Sequence, residues 1–249
     1  MAYAIMQTEL LPPEIEQLTA AFRALPILTA IDAQTVARDA FGILLRGLDV
    51  EQASTLQDAL GKHGVQTEVV EENGLPAIPP AKVVRQVEIL PNHLSMYDPM
   101  GRAFTLPWRD IMIIAAGNVR LPESKRQKNH DEAHLRGGHS LDPDHKNRDS
   151  ALFHLMLEIV TTNGQGRYSI LADEFDFSHL GINQSADLTG NFVLLLRELA
   201  ENAPHAGLNR GAFLITQGNK EVFVYPSKAA FNEELTWFLW RTAQPAPGV

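Results

Sequence analysis

Nine histidines and no cysteine set the chemistry open to this 249-residue chain. Without cysteine, disulfide scaffolds, thiolate-ligated zinc, iron–sulfur clusters and thiol catalysis are excluded, and a reducing compartment is expected. The densest cluster is His130-Asp131-Glu132-Ala133-His134, followed by His139, Asp142, Asp144 and His145. On a helix, His130 and His134 would share one face at i, i+4, which suits zinc with His139 or an aspartate as a third ligand. That constellation would make a metal-dependent hydrolase. The zinc-protease motif, however, puts glutamate directly after the first histidine, where this chain has Asp131. Gly137-Gly138 and Pro143 also oppose an ordered frame. The plainer reading is a solvated linker whose histidines bind metal adventitiously, so no metal ligand is assigned.

Two further histidines lie near other polar groups: His154 in an apolar run and His179 beside Asp176 and Ser178. They supply pieces of a Ser-His-Asp triad, but no Gly-x-Ser-x-Gly elbow accompanies them. A polar turn and a half-buried histidine are expected instead. The string Phe175-Asp176-Phe177-Ser178-His179-Leu180-Gly181 reads as a loop pinned by two aromatics, with Asp176 capping the turn. Neither Gly-x-Gly-x-x-Gly after a strand nor a Gly-x-x-x-x-Gly-Lys-Ser/Thr loop occurs, which leaves nucleotide cofactors without support. No catalytic or cofactor-binding residue is assigned.

The net charge of −9 is unevenly placed. Residues 1–74 hold four basic and eleven acidic side chains, a net −7; residues 75–149 carry +2 and residues 150–249 carry −4. An acidic chain gains no counterion-release binding to nucleic acid, and its basic cluster, Lys125-Arg126-Gln127-Lys128, adjoins Asp131 and Glu132. Nucleic acid is therefore not expected as a partner. The amino terminus lacks a basic start and a signal-length apolar core. The apolar run Ile111 to Ala116 is far shorter than the roughly 20 residues of a membrane span. A cytoplasmic protein is expected.

The elements that must position these residues begin with a strand over Tyr3 to Glu9. Pro12-Pro13 opens a helix with Ile15, Leu18, Ala21, Phe22 and Leu25 on one face. A second helix from Thr29 to Asp32 onward ends at Gly42 before Ile43-Leu44-Leu45. Asp49 and Gln52 form a capping box for a third, with Ala53, Leu56, Ala59 and Leu60 as its stripe and Gly64 as its stop; Val65 to Val70 alternates as a strand. The order is β-α-α-β-α-β. That order, with Leu28, Ala30, Ala33, Val36, Ala40, Leu44-x-x-Gly47-Leu48, Ala53, Leu56, Ala59-Leu60 and Gly64-Val65-x-x-Glu68-Val69, resembles the C-terminal domain of the bacterial ribosomal stalk protein. The resemblance implies a fold and a protein partner. Stalk domains bind translational GTPases through a lysine-bearing face of the first two helices. The matching positions here are Ala20, Ile31 and Gln34, with Arg23 as the remaining cation. Electrostatic steering by a −7 segment would favour a basic partner instead.

Residues 73–81, NGLPAIPPA, break both neighbouring patterns and divide a domain over 1–72 from a second over 82–249. The second reads as strands over Val83 to Ile89 and Leu94 to Tyr97, a turn at Asp98 to Gly101, and strands over Arg102 to Trp108 and Ile111 to Ala116. A polar excursion over about 119–150 follows, then a hairpin over Phe153 to Ala172 and a helix over Asn191 to Leu199. A second hairpin is predicted over Gly211 to Tyr225, with a closing helix capped by Ser227. The Arg-x-Phe-x-Leu-Pro-Trp strand, the apolar strand ending in Gly117 and the C-terminal helix resemble bacterial pleckstrin-homology-like domains, and the two-part layout resembles certain bacterial two-domain proteins.

The fold class expected is thus α+β: a small β-α-α-β-α-β domain, then a mainly antiparallel, pleckstrin-homology-like β domain with an inserted helix and a C-terminal helix. On that last helix Phe231, Leu235, Phe238 and Leu239 form one stripe, while Trp237 and Trp240 lie on roughly the opposite side. Either the helix is sandwiched inside its domain, or the tryptophans contact another chain and support a homo-oligomer. Trp237, Trp240 and Arg23 are the partner-binding candidates. The functional expectation is a non-enzymatic adaptor or binding module. A metal-dependent hydrolase using His130, His134 and His139, and a small-ligand sensor, are the alternatives.

Overall fold

The computed structural model describes residues 1–9, 12–121, 152–162, 164–219 and 221–243. The first unit follows the predicted element order: β1 (Tyr3–Gln7), α1 (Ile15–Phe22), α2 (Ala30–Asp39), β2 (Ile43–Leu48), α3 (Val50–Lys62) and β3 (Thr67–Glu71). Side-chain caps fix the helix starts. Thr29 and Asp32 cap α2 reciprocally, and Asp49 accepts the Gln52 N–H at 2.8 Å while Gln52 accepts that of Asp49. The strands form an antiparallel sheet in the order β2-β1-β3. Ile5 and Leu44 point to a core with Leu18, Phe22, Leu56 and Leu60 from the helices. Ala4, Met6 and Ile43 point to the opposite face.

The second unit begins with β4 (Lys82–Val83), followed by an antiparallel meander of β5 (Gln86–Leu90), β6 (His93–Tyr97) and β7 (Ala103–Pro107). The predicted turn between β6 and β7 is held by the Asp98 carboxylate, which accepts the Met100 and Arg102 N–H groups at 2.9 and 3.0 Å. A long strand β8 (Ile111–Leu121) pairs antiparallel with β9 (Leu152–Thr161), and β9 with β10 (Arg167–Leu171). The 153–172 hairpin is therefore present, and β4 extends its sheet in parallel beside β10. α4 (Leu188–Asn202) covers one face of this sheet with Phe192, Leu195, Leu196 and Leu199. The closing helix α6 (Lys228–Ala243) covers the other with Phe231, Leu235 and Leu239.

One predicted element is replaced. The second hairpin, expected over Gly211 to Tyr225, is instead helix α5 (Arg210–Thr216) between two short strands, β11 (Gly207–Leu208) and β12 (Val224–Tyr225), both parallel to β8. The cause is Asn209, which lies fully buried. Its side-chain oxygen accepts the Ala212 N–H at 2.9 Å as a helix cap and the Ala116 N–H of β8 at 2.8 Å. Next to it Gly211 sits so close to the strand that a Cβ would lie 2.0 Å from the Ala116 carbonyl oxygen. The helix is thus capped locally and anchored to β8 by a contact 93 residues away in sequence. The result is an α+β protein in which antiparallel pairing predominates.

Candidate docking surface

The histidines His130, His134 and His139 lie outside the described residues. Among the described residues, no group of three or more His, Asp or Glu side chains is placed to hold a metal ion. His154 meets Asp173, with Nδ1 3.0 Å from a carboxylate oxygen. His179 is more deeply placed than expected: its ring packs beside the Phe175 and Phe177 pair, with 4% of the side chain exposed. Neither ring nitrogen has a hydrogen-bond partner among the described residues, and burial pushes the imidazole below its ordinary pKa, opposed by Asp176. Asp176 accepts the Ser178 backbone N–H at 2.9 Å, which is the turn-capping role expected of it.

The two tryptophans correct the expectation of a contact with another chain. Trp237 and Trp240 are each only 6% exposed, packed with Ala4, Met6 and Ile43 on the helix-free face of the first unit's sheet. The Trp237 indole N–H donates to the Gln7 carbonyl at 2.7 Å. The α6 face offered to a homo-oligomer is thus occupied by the chain's own first unit. The helix is sandwiched, not within one unit but between two.

Ionic contacts reinforce this arrangement. Arg46 of β2 makes a two-pronged contact with Glu233 of α6 at 2.8 and 3.1 Å, and Arg241 reaches Glu68 of β3 at 3.1 Å. On the other side of α6, Glu158 is 1% exposed and lies between two cations. Arg167 holds it with bonds of 2.6 and 2.9 Å, and the Lys228 ammonium completes the pair from α6. Arg167 also donates to Asn232 of α6 at 3.0 Å, and burial lowers the Lys228 pKa against the pull of Glu158. A second buried carboxylate, Glu234, accepts the Arg210 backbone N–H and the Tyr225 hydroxyl, each at 2.9 Å. Burial raises its pKa to about 7. The Arg210 guanidinium crosses to the first unit, donating to the Ala40 carbonyl at 2.9 Å and lying 4.0 Å above the Phe41 ring. Sequence reasoning missed both clusters. For Glu158 the signal was a lone carboxylate inside an apolar run, Leu157-Glu158-Ile159; Glu234, the second of the adjacent pair Glu233-Glu234, carries no such signal.

No protein-family model, no curated protein and no solved structure matches this chain. Arg23 is exposed at the C-terminal cap of α1. In the following eight residues Ile27 is 59% and Ile31 73% exposed, flanking the connection into α2. The α1–α2 corner thus carries two solvated isoleucines and a cation on a unit whose net charge is −7. Elsewhere, Lys82 lines two clefts, of about 550 and 590 Å³, on either side of a Phe104–Tyr168 ring stack 5.2 Å between centroids.

Proposed function

We propose that the chain is a non-enzymatic binding module for a protein partner, with the α1–α2 corner as its docking surface. The carrying observation is the pair Ile27 and Ile31, which remain in water although every helix of this unit has a packed apolar face. Two exposed aliphatic side chains and an exposed cation close together in the chain supply the elements of a small apolar patch with a polar rim, of the kind that association buries. The resemblance to the stalk domain supports the same pair of helices, and the acidity of residues 1–74 favours a basic partner. The docked α6 supports a role for the two units as one body, so that a partner held at the corner keeps a fixed position relative to the second unit.

The test is affinity capture from the host's own lysate with wild type and with Ile27→Asp/Ile31→Asp. A partner retained by wild type and lost by a folded variant supports the reading. Equal retention by both removes it. A second reading, small-ligand sensing, is favoured by the clefts that share Lys82. It predicts a ligand-dependent rise in melting temperature that Lys82→Ala abolishes.

A further inference from the structure

The first unit offers a second receiving surface, distinct from the α1–α2 corner. In the order β2-β1-β3, strand β2 is terminal, and among the described residues no strand pairs with its outer side. An unpaired edge presents a row of backbone donors and acceptors to any extended chain that reaches it. Here that edge borders a shallow, open cleft of about 290 Å³. The strand contributes Ile43 to Arg46, α2 contributes Val36 and Asp39, and α6 contributes Ala230 and Glu233. Helices from the two units thus flank one open strand edge, and the cleft exists only because α6 is docked.

We propose that this cleft takes an extended segment of a partner polypeptide, which adds to β2 as a further strand. Strand addition uses main-chain hydrogen bonds for affinity and alternate side chains for specificity. The apolar lining at Val36, Ile43 and Leu45 calls for apolar residues at alternate positions of the segment. Charge sets the rest. The ion pairs at the rim, Arg46 with Glu233 and Arg38 with Asp39 at 2.6 Å, cancel one another. The net −7 of residues 1–74 as a whole, acting as a long-range field, favours lysine or arginine flanking the apolar positions. The same charge opposes edge-to-edge pairing of β2 with β2 of a second copy, which would bring two −7 units together.

Peptides selected from a random displayed library against the full-length chain are the probe. The selected sequences should alternate apolar residues between basic flanks and slow hydrogen–deuterium exchange at residues 43–46. Their binding should weaken as salt is raised. Thr35→Trp and Ala230→Trp, which crowd the two walls from solvent-accessible positions, should each lower affinity roughly tenfold or more while the protein stays folded. Selection of no such peptide, protection confined to other segments, or affinity unchanged in both variants overturns the proposal. So does concentration-dependent protection of residues 43–46 without peptide, which would assign the edge to a second copy. If Ile31→Asp abolishes partner capture while β2 stays unprotected, the strand-addition proposal falls and the corner reading stands.

Discussion

Trp237 lies across the backbone of Gly42, so close that a Cβ built on the glycine would sit 2.6 Å from the indole Cγ. Gly42 also has a φ of +86°, in the left-handed region. One residue of the first unit and one of the last helix are therefore fitted to each other through both backbone conformation and shape. Gly42→Ala should destabilise the protein by about 2 to 4 kcal/mol, combining left-handed strain with overpacking against a ring that has no room to move. Urea unfolding of the full chain measures it. A loss within about 0.5 kcal/mol, the range of ordinary surface substitutions, would contradict the fit.

Glu158 is the shared counter-ion of Arg167 and Lys228. Glu158→Ala leaves two cations near the sheet and α6 without their carboxylate, and stability should fall by about 3 to 5 kcal/mol. The double variant Glu158→Ala/Arg167→Ala should be less damaged than the two single losses added together, as a double-mutant cycle would show.

Glu234 makes stability depend on pH in a defined direction. Its carboxyl is 2% exposed and titrates at about 7 in the folded protein, against an ordinary value of 4.5. The folded state then holds this proton more tightly than the unfolded state. The associated stability is full below pH 4.5 and is lost as pH rises towards 7. The change due to this group is on the order of 3 kcal/mol. Glu234→Gln should flatten that part of the profile relative to wild type. An unchanged slope between pH 5 and 7 in chemical denaturation would rule the assignment out.

Residues 1–72 expressed alone should keep their β-α-α-β-α-β order, because Leu18, Phe22, Leu56 and Leu60 belong to a core that lies wholly within them. The fragment would nevertheless uncover Ala4, Met6 and Ile43, the face that Trp237 and Trp240 protect. It should therefore be less stable than the same residues in the full chain and self-associate as its concentration rises. Sedimentation with and without a peptide of residues 228–243 checks this. The peptide should suppress association.

The amino-acid sequence determined the local elements, because their causes are local. Asp49 and Gln52 announce the start of α3, Pro12-Pro13 the approach to α1, Asp98 to Gly101 the β6–β7 turn and Ser227 the cap of α6, where its hydroxyl accepts the Ala230 N–H at 3.1 Å. Two apolar stripes on α6 were also legible, since a helix repeats its faces every few residues. Their destinations were not. Whether Trp240 meets another molecule or Met6 of its own chain depends on how two units dock, and nothing within a turn of Trp240 encodes that. The same holds for Asn209, whose bond to Ala116 of β8 fixes where α5 lies against the sheet. It holds too for Glu158, a lone charge in an apolar run, and for Glu234, the second of two adjacent glutamates, until the fold supplied their partners. Tertiary structure decided these points because burial, charge pairing and close approach are relations between segments distant in sequence, while caps and turns are relations between neighbours.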